Sequence, residues 1–234
     1  MRRAAPLVLA ALLLAGCGGG GKKATPSAPP PPPAPAPDPG RAAISALVGA
    51  AGAGSASRLW ALLSAPTRAR YGPTEKAFAE KAARALERAL EPYARQGYRL
   101  VVSERITDRF GVVAIADKHG GAFALPLRFQ KGAWKAELGG PVQIQHLGLP
   151  APGGRAKLVV QLAVEVKSLA HEIDAAVTYL DGHAVASTGH GSPNDETLLV
   201  NLPAPLPRGR HVAVAFASAG GDASALAWSF TVTG

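Results

Sequence analysis

The chain has 234 residues, enough for one large domain or two small ones, and its 25 Lys and Arg outweigh 16 Asp and Glu for a formal charge of +9. That balance suits anionic lipid headgroups or polyanionic wall polymers, whereas the lack of a dense Lys/Arg run argues against nucleic acid as a partner. A single cysteine excludes internal disulfides and Cys-type zinc sites.

That cysteine follows an export-type leader. Arg2 and Arg3 form a basic start and residues 6–15 an apolar run, well short of the ~18 residues a membrane-spanning helix needs. The run ends in Leu14-Ala15-Gly16-Cys17, and this small-small-Cys ending resembles the bacterial lipoprotein lipobox. The resemblance implies that residues 1–16 are a cleaved signal peptide and that Cys17 becomes the lipidated N-terminus. It would hold the chain on the outer side of a cell membrane or outer membrane by fatty acyl groups alone. Gly18 follows the cysteine and so lacks the Asp that resembles an inner-membrane retention signal. So employed, Cys17 is not available for thiol catalysis.

Residues 17–40 read as a Gly- and Pro-rich tether, with prolines uninterrupted from 29 to 33. Proline offers no N–H to a helix or sheet, and the segment lacks apolar bulk, so a disordered spacer biased to polyproline II is expected. At ~3.1 Å per residue its proline part would reach ~45 Å. A docking ligand for an aromatic-lined groove is the other use of such a sequence.

Helical periodicity runs from 41 to about 95. Ala43, Ile44, Leu47, Val48 and Ala51 fall on one stripe; a second helix carries Leu59, Trp60, Leu62 and Leu63 and stops before Pro66. A third starts at Pro73-Thr74-Glu75 and aligns Phe78, Ala82, Leu86, Ala89, Leu90 and Tyr93, with Pro92 and Gly97 as its end signals. The period then becomes extended, predicting strands at 98–107, 110–117, 122–130 and 133–138 joined by short Gly-containing turns. In the third of these, Phe123, Leu125, Leu127 and Phe129 share one face and Arg128 lies on the other. Helices over one face of a curved four-stranded antiparallel sheet make residues 41–149 an α+β unit. The element order, with Trp60-Ala61-Leu62-Leu63-Ser64 and Arg68-Ala69-Arg70-Tyr71, resembles the nuclear transport factor 2-like cone shared with ketosteroid isomerases and SnoaL-like cyclases. A small hairpin usual in that family before the long third helix has no room between residues 67 and 73.

Residues 150–155 are Pro/Gly-rich and predict a hinge. Beyond it, short apolar stretches at 157–167, 175–180, 184–188, 196–202, 210–218 and 224–233, with the hairpin signal Asp181-Gly182, predict a β-sandwich over 156–234. Its ending, Trp228-Ser229-Phe230-Thr231-Val232, resembles the last strand of disulfide-free bacterial immunoglobulin-like modules, with Trp228, Phe230 and Val232 inward.

Chemistry is sparse. An isomerase-like pocket needs an acid and a base with separated pKa values, and Tyr71, Glu104, Asp117, His119 and His146 are the candidates to supply them. Asp117 and His119 sit at a strand end leading into Gly120-Gly121, the ordinary place of solvated turn residues. His171, His183, His190 and His211 fall in the sandwich without the close spacing of a metal-ligand set. No cofactor or nucleotide fingerprint is present. The sequence therefore predicts a non-catalytic envelope lipoprotein displaying two small binding domains to a wall polymer, another envelope protein or a small apolar ligand. An exported isomerase or cyclase using the cone pocket, and a metal-handling sandwich, are the two alternative readings.

Overall fold

The computed structural model describes residues 38–71 and 74–234; the leader, Cys17, most of the proline-rich tether and Pro73 lie outside them. Helix α1 (Pro39–Gly52) starts where the Asp38 carboxylate accepts the N–H groups of Gly40 and Arg41, each at 3.1 Å. Ser55 caps α2 (Ala56–Leu62). A further helix, α3 (Ala65–Tyr71), occupies what the sequence reads as a connection. Pro66 sits in its first turn, where no intrahelical N–H is lost, and Ser64 Oγ accepts the Thr67 N–H at 3.2 Å. The long third element expected from residue 73 onward comes in pieces: α4 (Glu75–Phe78), a π-helical turn (Ala79–Ala83) and α5 (Arg84–Gln96). The wide turn inserts one residue, so the buried stripe runs Phe78, Ala83, Leu86, Leu90, Tyr93, and Ala82, expected on the stripe, moves to its margin. Pro92 stays inside α5, and Gly97 ends it at a φ of 77°.

Four strands form an antiparallel meander in chain order: β1 (Arg99–Arg105), β2 (Phe110–Ala116), β3 (Ala122–Gln130) and β4 (Ala133–Ala136). The helices cover one face, burying Val113, Ile115, Leu125 and Leu127 against Ile44, Leu47, Leu59, Phe78 and Leu90. Every residue of β2 is buried, because the other face of the meander is covered too.

The remaining strands are β5 (Val142–Leu147), β6 (Arg155–Ala156), β7 (Gln161–Ser168), β8 (Ile173–Leu180), β9 (His183–Val185), β10 (Thr188–Ser192), β11 (Asp195–Asn201), β12 (Gly209–Ala219) and β13 (Asp222–Val232). They form a four-stranded sheet in the order β10-β11-β7-β5 and a five-stranded sheet in the order β6-β13-β12-β8-β9. Val142, Leu162, Val164, Leu198 and Val200 of the first meet Ala213, Ala215, Trp228, Phe230 and Val232 of the second, which makes a β-sandwich. The opposite face of the five-stranded sheet, with Tyr179, Val212, Val214 and Phe216, packs on Val102, Phe110, Val112 and Ala114 of the meander. The layers thus run helices, meander, five-stranded sheet, four-stranded sheet. Strands β2 and β12 read as near-continuous apolar runs because both their faces are dry.

This layering moves the expected boundary. Val142–Leu147, assigned from sequence to the 41–149 unit, pairs with β7 inside the sandwich. The expected hinge at 150–155 is strapped down: the Gly153 N–H donates to Ser229 O at 2.7 Å, the Thr231 N–H donates to Gly154 O at 2.9 Å, and Arg155–Ala156 runs parallel to the end of β13. Residues 37–234 accordingly form one compact unit, where the sequence predicts two autonomous ones at 41–149 and 156–234. The stretch 184–188, expected as one strand, divides into β9 and β10, which belong to different sheets. At the Asp181-Gly182 hairpin the expectation holds, with φ of 52° and 90° at the two turn residues.

Candidate functional site

The five residues singled out for a catalytic pocket sit on separate elements. Tyr71 ends α3, half-buried, with its ring edge-on to Phe78 at 6.1 Å. Glu104 is exposed on β1 and accepts the Tyr179 hydroxyl at 3.2 Å. Burial first and the Glu104 charge second push the Tyr179 phenol well above its ordinary value. Asp117 Oδ1 accepts the backbone N–H groups of His119 and Gly121 at 2.7 and 2.8 Å, closing the β2–β3 turn as an Asx motif; the His119 ring is exposed. His146 lies outside the helix–meander layer. It is on β5, opposite Val164, with its ring 5.2 Å from Trp228. Among the described residues no two side chains of the five bond to each other.

The feature nearest to an acid–base pair is Tyr93, whose phenol is pushed up to about 12 by burial first and by the Asp117 charge second. Its ring packs 6.2 Å from Phe123, so α5 delivers it to the margin of the apolar interior rather than into a polar cleft.

Among the described residues, no three His, Cys, Asp or Glu side chains cluster closely enough to hold a metal ion. His171, His183 and His190 are exposed. His211 is buried, with Nδ1 2.7 Å from Asp181 Oδ2 and Nε2 2.9 Å from Pro207 O, so both ring nitrogens are engaged within the fold.

The charged constellation that the fold does assemble is not among the sequence candidates. Glu137, just past β4, is fully buried. Its carboxylate accepts Arg128 Nε at 2.7 Å and Arg128 Nη2 at 3.1 Å, a two-point grip, and accepts Arg70 Nη1 at 3.1 Å. Arg70 also pairs with Asp222 at the β12–β13 turn, and Arg128 donates to Gly221 O in the same turn. The Arg128 guanidinium lies 4.8 Å from the centre of the Phe110 ring. Below it, Thr67 Oγ1 accepts the Leu138 N–H at 2.8 Å and the Ser64 hydroxyl at 2.9 Å. Two guanidinium groups and two carboxylates thus balance in charge where α3, β3, β4 and the β12–β13 turn meet. The set holds the sandwich to the helix–meander layer and presents no unpaired nucleophile or base. Sequence alternation puts Arg128 on the sandwich side of β3, which is the one trace of this cluster legible in advance.

No helix among the described residues is long and apolar enough to cross a membrane. No protein-family model and no curated protein matches the chain. Among solved structures, an endo-beta-1,4-mannanase from Thermotoga petrophila aligns at 13% identity over 39% of this chain and 20% of that one, with a TM-score of 0.32. The copper resistance protein PcoC from Escherichia coli aligns at 14% over 42% of this chain and 97% of its own, with a TM-score of 0.27. The titin Ig tandem A164-A165 aligns at 11% over 58% and 73%, also at 0.27. The chain spans about a fifth of the mannanase it matches, and likenesses at these scores assign neither a detailed fold nor an activity. The architecture rests on its own sheets: a few helices on a chain of mostly antiparallel strands, closing in a β-sandwich.

Proposed function

We propose that this chain is a non-catalytic lipoprotein of a bacterial cell envelope, anchored through Cys17 on the outer side of the membrane, that presents a binding surface to a wall polymer or another envelope protein. In this reading residues 38–138 are a cone-like domain of the nuclear transport factor 2 type, and residues 142–232 are an immunoglobulin-like sandwich. The observation that carries the non-catalytic part is the neutral Arg70–Glu137–Arg128–Asp222 set. The one fully buried carboxylate among the described residues is consumed by guanidinium partners that join layers, while the helix–meander interior is filled by Leu59, Leu63, Phe78, Leu90 and Leu127. Binding chemistry is then left to the surface of a chain whose formal charge is +9.

The test is fractionation of cells expressing the full chain and Cys17→Ser. The native chain should partition into the detergent phase, and Cys17→Ser should either become soluble or remain as unprocessed precursor, since two acyl chains hold far more firmly than one. Detergent partitioning unaltered by Cys17→Ser refutes the anchor.

A further inference from the structure

Where the helix–meander layer meets the five-stranded sheet, a groove of about 530 Å³ opens between the start of β1, the β2–β3 turn and β12. Its volume lies in the range of small-molecule sites, roughly 300–1,000 Å³. Arg99, Lys118 and Arg210 line it, together with Tyr98, Asp117 and Gly120. Among the described residues none of the three cations has a carboxylate within 4.0 Å. Their charge is uncompensated in a concave place, where field lines focus.

The groove is held in shape. Arg210 Nη1 donates to the Lys118 carbonyl at 2.6 Å, which fixes the guanidinium and leaves its other N–H groups unclaimed. The Ser229 hydroxyl donates to Gly120 O, tying the β2–β3 turn to β13. Gly120 has a φ of 99°, and a side chain there would start 3.2 Å from Arg210 Cζ and Nε. Only glycine serves both needs. Asp117 spends Oδ1 on the turn, while among the described residues Oδ2 has no hydrogen-bond partner, which leaves one acceptor unspent on a residue that lines the groove.

We infer that this groove binds a short stretch of a carboxylated glycan. The sugar carboxylate would meet Arg210, Lys118 and Arg99, a sugar hydroxyl would donate to Asp117 Oδ2, and the Tyr98 ring would give the sugar an apolar face. Three cations and one acid are a poor match for a neutral sugar and a good one for an acidic sugar that also carries hydroxyl donors. A flat bilayer would touch the protruding parts of the surface and leave the concave groove unfilled, so headgroup attraction does not account for it. The inference deepens the binding reading above, and rests on it for the setting in which such a polymer is met.

The experiment is calorimetric titration of the purified full-length protein in detergent with trigalacturonic acid. Neutral galactotriose and vesicles containing phosphatidylglycerol serve as the other arms. Trigalacturonic acid should bind and galactotriose should not. Arg210→Ala and Lys118→Ala should each weaken binding roughly ten- to a hundredfold, the scale of losing one charge-assisted hydrogen bond. Arg99→Gln reads the groove without touching the fold, since that exposed side chain bonds to nothing else described, and it should weaken binding in the same sense. Arg84→Ala, on α5 and outside the groove, should leave affinity unchanged. Absent binding, equal binding of the neutral trisaccharide, an unaltered affinity in all three groove variants, or vesicle binding lost in those same variants each overturns the inference. A chain that is lipid-anchored yet binds no trigalacturonic acid loses the groove and keeps the anchor. A soluble native chain that binds it loses the anchor and keeps the groove.

Discussion

Glu137→Gln is the sharpest test of what joins the layers. The native carboxylate has no exposure, Arg128 is 12% exposed and Arg70 is 25% exposed. The amide introduced by Glu137→Gln would keep one acceptor oxygen but set an NH₂ donor where Oε2 now receives Arg128 Nε at 2.7 Å. Two donors would then face each other, and an almost buried guanidinium would lose its counter-charge. Removing one partner of a buried ion pair costs about 3–5 kcal/mol. Asp222 remains paired with Arg70 and lies 4.0 Å from Arg128 Nη2, so the lower end, about 3 kcal/mol, is expected. The assay is urea unfolding of the full chain at neutral pH, read by tryptophan fluorescence and by circular dichroism. Because the cluster lies between layers, both probes should shift together in Glu137→Gln. A loss under about 1 kcal/mol would mean that the pair contributes no more than an exposed salt bridge, and the account of the joint would fail.

Two further outcomes follow from the same geometry. The Tyr93 phenol ionises near 10 when unfolded and is pushed up to about 12 in the fold; a raised value favours the neutral form, so its contribution is whole below pH 10 and is lost as pH climbs through 12. Tyr93→Phe should therefore make the fall of the urea midpoint between pH 10 and 12 shallower, though not flat, because Tyr179 is shifted in the same direction; an identical alkaline slope in Tyr93→Phe refutes the burial argument. Limited proteolysis should leave residues 38–234 as one protected fragment, since 150–156 is hydrogen-bonded to β13 and packed elements resist nicking. A first cut within residues 150–156, located by intact mass, would restore the hinge.

Much of the fold is legible in the sequence because apolar alternation is a local signal. The meander strands match their expected bounds within one or two residues, and Asp181-Gly182 names its turn. Three things are not local. Pro66 reads as a stop, yet in a first turn it is harmless, and this hides α3. The π-helical turn moves the buried stripe by one residue without changing any residue type that periodicity counts. Val142-Gln-Ile-Gln-His-Leu147 does alternate, but placing it in the sandwich depends on β7, beginning fourteen residues later. The unbroken apolar runs of β2 and β12 are the available sign that two sheets share their faces, and that sign outweighs a Pro/Gly stretch between them.

The charged sites are hidden for a different reason. Arg70 and Asp222 stand 152 residues apart and Arg210 and Lys118 stand 92 apart, so no spacing rule connects them. Each residue alone has an ordinary surface explanation: Arg70 as the end of a helix, Asp222 as a turn, Lys118 as a loop. What distinguishes the two sites from each other is counter-charge, not composition. At Glu137 the cations have counter-charges and the pairing is adhesive. At Arg99, Lys118 and Arg210 exposed cations line a groove at the margin of the same two layers without them, and the turn that carries Lys118 is fixed by Asp117 and Ser229. A charge left unpaired on mobile surface costs little and signifies little. Arg210, held by its bond to the Lys118 carbonyl in a concave groove, keeps its attraction for an anion and has already lost part of the conformational entropy that binding would otherwise cost.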